Sequence, residues 1–236
     1  MEKENKNIWV TGASSGIGRA ISVAFANAGQ NVFATARSKE NLDELKQQAS
    51  LKVEINTDVV DVTSKENVFS FAGKMFGGKG IACLINNAGV TSFNKIEQNS
   101  LEEIEKIIQT NLLGAIYTTK AILPVMLKQK KGTIINILSV VTEKIFQQSG
   151  VYSASKAGLK AFSQVLREEV RESNIRIINV YPAATDTKIW PSGVSAKFSH
   201  RMMKPENLAE MILSIYQTKE NIVAEEVVLR PIEGDL

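Results

Sequence analysis

Short apolar runs alternate with longer amphipathic segments along the whole chain, and this alternation restricts the fold more than any other feature. The runs 7–11, 31–35, 53–56, 81–86, 133–138, 175–181 and 222–229 read as strands, the last interrupted only by the acidic pair Glu225-Glu226. The segments between them read as helices. In 17–28, Ile21, Phe25 and Ala28 share one face before Gly29 closes the helix. Ser38 and Ser64 are N-caps for helices over 40–49 and 64–75. Ser100 with Glu103 three residues later is a capping-box signature. That helix is expected to run to 128, with a bend at Pro124, and to end in the cations of Lys128-Gln129-Lys130-Lys131. Further helices are expected over 150–172 and, with Pro205 in its first turn, over 205–216. Strand then helix, repeated six times, gives right-handed crossovers and a seven-stranded parallel sheet with helices on both faces. Ligand is then expected beyond the carboxyl ends of the strands, at the point where strand order reverses. No Pro/Gly/Ser-rich linker and no fixed repeat divides the 236 residues, a length that suits one α/β domain.

Composition removes several classes of function. Hydrophobic residues make up 44% and charged residues 22%, which is the balance of a chain with a packed core. One cysteine, Cys83, excludes an intrachain disulfide and a cysteine metal cluster, and its apolar neighbours make it a buried core thiol. One histidine, His200, between Ser199 and Arg201, argues against a His-rich zinc site and a Ser-His-Asp triad, and reads as a solvated loop residue. The net charge of +3 is mild and no basic cluster is interleaved with aromatics, so nucleic-acid binding has no support. No run of 18 apolar residues is present and the charged first six residues do not resemble a signal peptide. A cytoplasmic location is the expectation.

The chemistry begins where the first run ends. Thr11-Gly12-Ala13-Ser14-Ser15-Gly16-Ile17-Gly18 places three glycines between a strand and a helix. Glycine permits the tight turn and lets a phosphate approach backbone N–H groups at the helix start. The spacing, Gly-x3-Gly-x-Gly, differs from the usual G-x-G-x-x-G, but its strand–turn–helix setting still points to a bound nucleotide. Tyr152 and Lys156 stand four apart on a helix and share a face. An ammonium beside a phenol favours the phenolate and is expected to lower the tyrosine pKa, so that Tyr152 exchanges a proton with a carbonyl or alcohol oxygen.

The glycine turn resembles the cofactor loop of the short-chain dehydrogenase/reductase family, and the likeness continues in order over nearly the whole chain. Asp61-Val62 resembles the family's adenine-contacting pair. Asn86-Asn87-Ala88-Gly89 resembles its NNAG. Asn111, Ser139 and the Tyr152-x3-Lys156 pair follow in family order. The resemblance implies a Rossmann-type fold and hydride transfer between a nicotinamide and a carbonyl or secondary alcohol. It implies that Asn111, Ser139, Tyr152 and Lys156 are catalytic: Ser139 bonds the substrate oxygen, Asn111 positions a water, and Lys156 also holds the nicotinamide ribose. It implies a cofactor site of Gly12, Ser14, Ser15, Gly16, Ile17, Gly18, Asp61, Val62, Asn87, Ala88, Gly89, Tyr152, Lys156, Pro182, Thr185 and Thr187. It also implies a homodimer or homotetramer built on helices 100–128 and 150–172. One departure is Ala183, where the family has glycine after the proline; ordinary backbone angles are expected there.

The end of the second run decides the cofactor. NAD sites carry an acid there for the ribose 2′-hydroxyl, whereas an arginine accommodates a 2′-phosphate. Here it reads Thr35-Ala36-Arg37-Ser38, so Arg37 favours NADP(H) over NAD(H). The main expectation is an NADPH-dependent carbonyl reductase of 3-oxoacyl-type substrates or of small ketones and aldehydes. The alternatives are an NAD-dependent alcohol or hydroxysteroid dehydrogenase and a catalytically silent nucleotide-binding regulator; the presence of Ser139, Tyr152 and Lys156 argues against the last. Segment 188–204 is expected to cover the pocket as a mobile element, offering Ile189, Trp190, Val194, Phe198, Met202 and Met203 to an apolar substrate. Phe146, Gln147 and Gln148 are expected near it.

Overall fold

The computed structural model describes residues 7–48, 55–219 and 221–236. Seven strands form one parallel sheet: β1 (Asn7–Thr11), β2 (Asn31–Ala36), β3 (Ile55–Val59), β4 (Cys83–Asn86), β5 (Gly132–Ile137), β6 (Ile175–Pro182) and β7 (Glu226–Leu229). Their order is β3-β2-β1-β4-β5-β6-β7, so the direction of winding reverses between β1 and β4. Helices α1 (Gly16–Asn27), α2 (Lys39–Gln48), α3 (Lys65–Phe76), α4 (Leu101–Ile108), α5 (Gly114–Gln129), α6 (Gly150–Val170), α7 (Ser192–Phe198) and α8 (Pro205–Tyr216) make the connections. The expected doubly wound α/β fold is the one observed.

Alternate residues of each strand feed two cores, one on each face of the sheet. Ile8, Val10, Cys83, Ile85, Ile135 and Val180 pack with α1, α2 and α8. Trp9, Leu84, Ile134 and Ile177 pack with α3, α5 and α6. Cys83 is fully buried as expected, and burial pushes its thiol pKa up, which keeps it an inert thiol.

Near the strand ends the second face turns polar. Asn86, Asn136, Asn179 and Glu226 are register partners on four neighbouring strands. Asn86 Nδ2 donates to Asn136 Oδ1 at 3.0 Å and Asn136 Nδ2 to Asn179 Oδ1 at 3.1 Å. Asn179 Nδ2 donates to Glu226 at 3.2 Å. Thr118 of α5 closes one end on Asn86 at 2.6 Å, and Arg167 of α6 closes the other on Glu226 at 2.7 Å, with the Tyr181 hydroxyl on the same carboxylate. This ladder fixes the register of strands whose next few residues enter the site.

Three differences from the expected boundaries are the most informative. The third strand was expected over 53–56; Val53 and Glu54 lie outside the described residues, and the strand runs on to Val59. The seventh is shorter than 222–229, because pairing with β6 begins at Glu226, whose carboxylate is held by Asn179, Arg167 and Tyr181. The helix expected over 100–128 is interrupted by a π turn at Gln109–Leu113, upstream of Pro124, which stays inside α5. The Ser100–Glu103 capping box is present as expected.

Candidate active site

A cavity of about 810 Å³ opens at the carboxyl ends of the central strands. Its floor is the glycine turn after β1. Gly12 has φ +64° and Gly16 φ +53°, the left-handed region that glycine enters without strain. A Cβ at Gly12 would stand 2.7 Å from Ala88 Cα, so the turn also needs glycine to meet the loop after β4. Thr11 Oγ1 accepts from Asn87 N at 3.1 Å and Ala88 N at 3.2 Å, and Asn87 Nδ2 donates back to Thr11 O at 2.9 Å. Ser14, Ser15, Gly16 and Ile17 line the cavity at the start of α1, where backbone N–H groups have no partner within the helix. Gly18 is the one residue of this turn placed elsewhere than expected. It does not line the cavity, and a Cβ there would meet Asn87 Nδ2 at 2.3 Å, so it makes room for the loop lock.

The other expected cofactor residues converge on the same space. Arg37, Asp61, Val62, Asn87, Ala88, Gly89, Tyr152, Lys156, Pro182, Thr185 and Thr187 all line it. Arg37 directly follows β2, is exposed, and has no hydrogen bond or ion pair among the described residues. Arg19, by contrast, is committed to Ser14 O, Asn41 O and Glu44 at 3.0–3.1 Å and braces the turn against α2. Asp61 Oδ1 accepts from Thr63 N at 2.9 Å and so shapes the entry to α3. Thr187 packs its methyl group against Gly16, and Ala183 has the ordinary backbone angles expected of it.

Three catalytic candidates meet on one wall. Ser139 follows β5, and Tyr152 and Lys156 project from the first two turns of α6. Burial raises the Tyr152 pKa to about 12, while the nearby Ser139 hydroxyl opposes the rise. Burial lowers Lys156 to about 8. This reverses the expected direction for the tyrosine. The reason is geometric: Lys156 Nζ donates to Ile137 O at 2.7 Å and lies 5.8 Å from the Tyr152 ring centroid, so burial of the phenol dominates. Asn111 does not line the cavity. From within the π turn its Oδ1 accepts from Val90 N at 2.8 Å, and its Nδ2 donates to Val90 O at 2.8 Å and Ser155 Oγ at 3.0 Å. It ties the loop after β4 to α6 one residue before Lys156.

The rest of the wall was only partly foreseen. Of the six apolar side chains expected from 188–204, Ile189 and Trp190 line the cavity, while Val194, Phe198, Met202 and Met203 do not. Met202 is buried and Met203 packs with Leu138, Leu159 and Tyr181. Backbone bonds between Met203 and both Ala184 and Asp186, each 2.9 Å, hold this segment to the end of β6. Trp190 donates through Nε1 to Thr185 O at 2.9 Å and stacks on Phe93, with centroids 5.2 Å apart and planes at 12°. Phe146 and Gln147 line the cavity, whereas Gln148 turns away at φ +64°. Phe93, Lys106, Thr110 and Asp235 also line it, and nothing in the sequence pattern singled them out. His200 is exposed, as expected. Among the described residues no cluster of His, Cys, Asp and Glu could hold a metal, and no helix is long and apolar enough to cross a membrane.

The family profile described as short chain dehydrogenase matches residues 6–197. The chain belongs to this family. The short-chain dehydrogenase is 34% identical over 237 residues to an uncharacterized oxidoreductase of Staphylococcus saprophyticus, covering 98% of this chain and 100% of the relative. It is 32% identical to a sepiapterin reductase of Chlorobaculum tepidum, covering 96% of each. Among solved structures it resembles an alcohol dehydrogenase from the archaeon Thermococcus sibiricus complexed with 5-hydroxy-NADP. There the TM-score is 0.88 and the identity 27%, over 99% of both chains. The enzyme is thus an oxidoreductase.

Proposed function

We propose that this short-chain dehydrogenase is an NADP(H)-dependent carbonyl reductase acting on 3-oxoacyl-type compounds or on small ketones and aldehydes. The observation that carries the reading is that the Tyr152 phenol stands with Ser139 and Lys156 on the cavity wall, where burial keeps it protonated. A neutral phenol donates a proton to an oxygen that gains charge as a carbonyl is reduced. The Ser139 hydroxyl bonds the same oxygen and keeps it within reach. Lys156, held by Ile137 O, returns a proton to the tyrosine, and water beside Asn111 would connect it to solvent.

The residues fit a dinucleotide. The glycine turn lines the cavity with little side-chain bulk, and the first turn of α1 offers N–H donors to a phosphate. The unpaired Arg37 stands where a 2′-phosphate would lie. NADPH, when bound, supplies the hydride. The 5-hydroxy-NADP of the T. sibiricus structure and the reductase name of the C. tepidum relative support this choice of cofactor and reaction. The Phe93–Trp190 stack, Ile189 and Phe146 favour an apolar substrate.

The test measures kcat/KM for NADPH and for NADH across a panel of carbonyl compounds, in the wild type and in Arg37→Asp. The wild type is expected to prefer NADPH. The variant should lose about 10–150-fold of that preference, the worth of one charge-assisted hydrogen bond. A wild-type preference for NADH would overturn the NADP assignment and leave the carbonyl chemistry standing.

A further inference from the structure

A polar segment that leaves the edge of a sheet ordinarily runs out over the surface. The segment after β7 turns back instead. The last pair of the sheet joins Pro182 to Leu229, and Ala183 N donates to Leu229 O at 2.9 Å. Arg230 therefore leaves the sheet beside the Ala183-Ala184 wall of the cavity. Gly234 then takes φ +84° and donates its N–H to Pro231 O at 2.9 Å, closing a turn that glycine suits. The turn puts Asp235 and Leu236 in the lining of the cavity.

Two cations hold the Asp235 carboxylate in place. Arg230 donates to both of its oxygens, and Lys144 Nζ donates to Oδ2 at 3.2 Å. The Asp235 side chain is only 11% exposed, against 49% for Asp43 in an ordinary surface pair on α2. Lys144 belongs to the loop between Ser139 and Tyr152. Its Nζ also stands 5.4 Å from the centroid of the Phe146 ring, and Phe146 lines the cavity. Nearby, Glu233 accepts from Arg201 at 3.1 Å, near the end of the segment that carries Trp190. Segment 230–236 thus ties together two stretches that border the site. It follows β7, on the β5–β6–β7 side of the sheet, whereas Arg37 and Asp61 follow β2 and β3 beyond the winding reversal.

We propose that Asp235 is a specificity-determining residue which, through Arg230 and Lys144, clasps segment 230–236 and Phe146 into one wall of the substrate half of the cavity. Asp235 acts by position and does not touch the reacting atoms. The wall favours small ketones and aldehydes over 3-oxoacyl chains. A long chain reaching Tyr152 has to part this ion-paired segment or the Phe93–Trp190 stack, and a small carbonyl compound has to part neither. The substrate preference rests on the proposed carbonyl reductase activity; the clasp does not. An exposed ion pair is worth at most about fivefold in an equilibrium. Asp235 is shielded and shared by two cations, so the upper end of that range applies.

The experiment compares wild type with Asp235→Asn, Lys144→Met, the double variant and Asp235→Glu. Hydrogen exchange read by mass spectrometry reports the loop 140–149 and segment 230–236 without any ligand. Both single variants should speed exchange in the loop by about fivefold. The double variant should match Asp235→Asn alone, since the two residues act through one contact. Asp235→Glu, which keeps the charge, should restore protection. Steady-state kinetics with NADPH then use diacetyl as the small probe and 3-oxodecanoyl-N-acetylcysteamine as the long one. The wild type should prefer diacetyl. In Asp235→Asn the ratio of kcat/KM for the two probes should fall by about fivefold, through KM rather than kcat, with the Kd for NADPH unchanged. Unchanged exchange in Asp235→Asn, or additive effects in the double variant, would overturn the clasp. A wild-type preference for the long probe, or an NADPH Kd weakened as much as the probe ratio, would overturn the specificity role. A wild type inert toward both probes would count against the carbonyl reductase reading and overturn the size preference drawn from it, while the exchange pattern would still decide the clasp.

Discussion

The asparagine ladder lies on the strands just before the cavity, and the cavity wall is completed by α6 and the π turn; both bury polar groups, yet they treat them in opposite ways. In the ladder every amide has its partner: Thr118, Asn86, Asn136, Asn179, Glu226 and Arg167 are joined end to end. No ladder asparagine is more than 4% exposed. On the cavity wall the accounts stay open. Thr110 Oγ1 has no partner, and burial shifts Tyr152 and Lys156 away from their ordinary pKa values. Satisfied buried networks rigidify a fold, whereas unsatisfied or pKa-shifted buried groups mark places where stability is given up for function. The ladder thus holds still the strand ends against which this wall is built.

The sharpest way to break this comparison is to remove one atom from the wall. Tyr152→Phe deletes the proton donor and little volume, so turnover should fall by at least about 10²-fold while NADPH affinity changes little. Stopped-flow turnover and calorimetric binding on the same preparation check both halves. A variant with more than about a tenth of wild-type turnover would show that Tyr152 is not the acid, given that general acid catalysis is typically worth about 10²–10⁴-fold.

The matching change in the ladder should act on stability. Asn136→Leu leaves Asn179 Oδ1 without its donor, although Asn86 Nδ2 keeps Thr119 Oγ1 at 3.1 Å. One unsatisfied buried group costs about 1–3 kcal/mol, which for a domain of this size lowers Tm by about 2–12 °C. Thermal unfolding checks it. NADPH affinity measured well below the new midpoint should stay close to wild type, because the ladder does not touch the cavity. A stable Asn136→Leu with weakened cofactor binding would reverse the roles given to the two regions.

These roles differ in how far the sequence shows them. Strand and helix periods, the glycine turn and the Tyr152-x3-Lys156 spacing are local signals, so the fold and most cavity residues were legible. The ladder was not. Asn86, Asn136 and Asn179 stand on strands far apart in sequence, and only sheet register makes them neighbours. The π turn was hidden for a similar reason: Asn111 is drawn to Val90 and Ser155, partners that exist only after folding. Pro124 was the visible helix breaker, and it was the wrong place to look. Apolarity in 188–204 likewise could not say which side chains face a ligand. Trp190 reaches the cavity, whereas Met202 and Met203 pack on their own chain. The fall in tyrosine pKa expected from a nearby lysine failed because spacing along a helix gives a shared face but not the direction of the ammonium, which is taken by Ile137 O.

The smallest expected effect concerns that ammonium and separates the two regions by pH. Lys156 is lowered from 10.5 to about 8 in the fold. Between these values the unfolded chain still holds the proton that the folded chain has released, so the Lys156 contribution to stability rises with pH. Tyr152 acts in the other sense, but only above its ordinary value of 10.0, where the unfolded chain ionises before the folded one. From pH 7.5 to 10 the lysine therefore dominates this wall. Many exposed groups also titrate there, and they cancel when Lys156→Met is subtracted from wild type. Unfolding free energies from urea titration should give a wild-type minus variant difference that grows by about 1–3 kcal/mol across this window. The pH dependence, rather than the absolute difference, is the diagnostic, because the variant also leaves the Ile137 carbonyl without its donor. Asn136→Leu carries no titratable group and should show a flat difference over the same range. If both differences were flat, Lys156 would be as well satisfied as the ladder, and the contrast between the two regions would not hold.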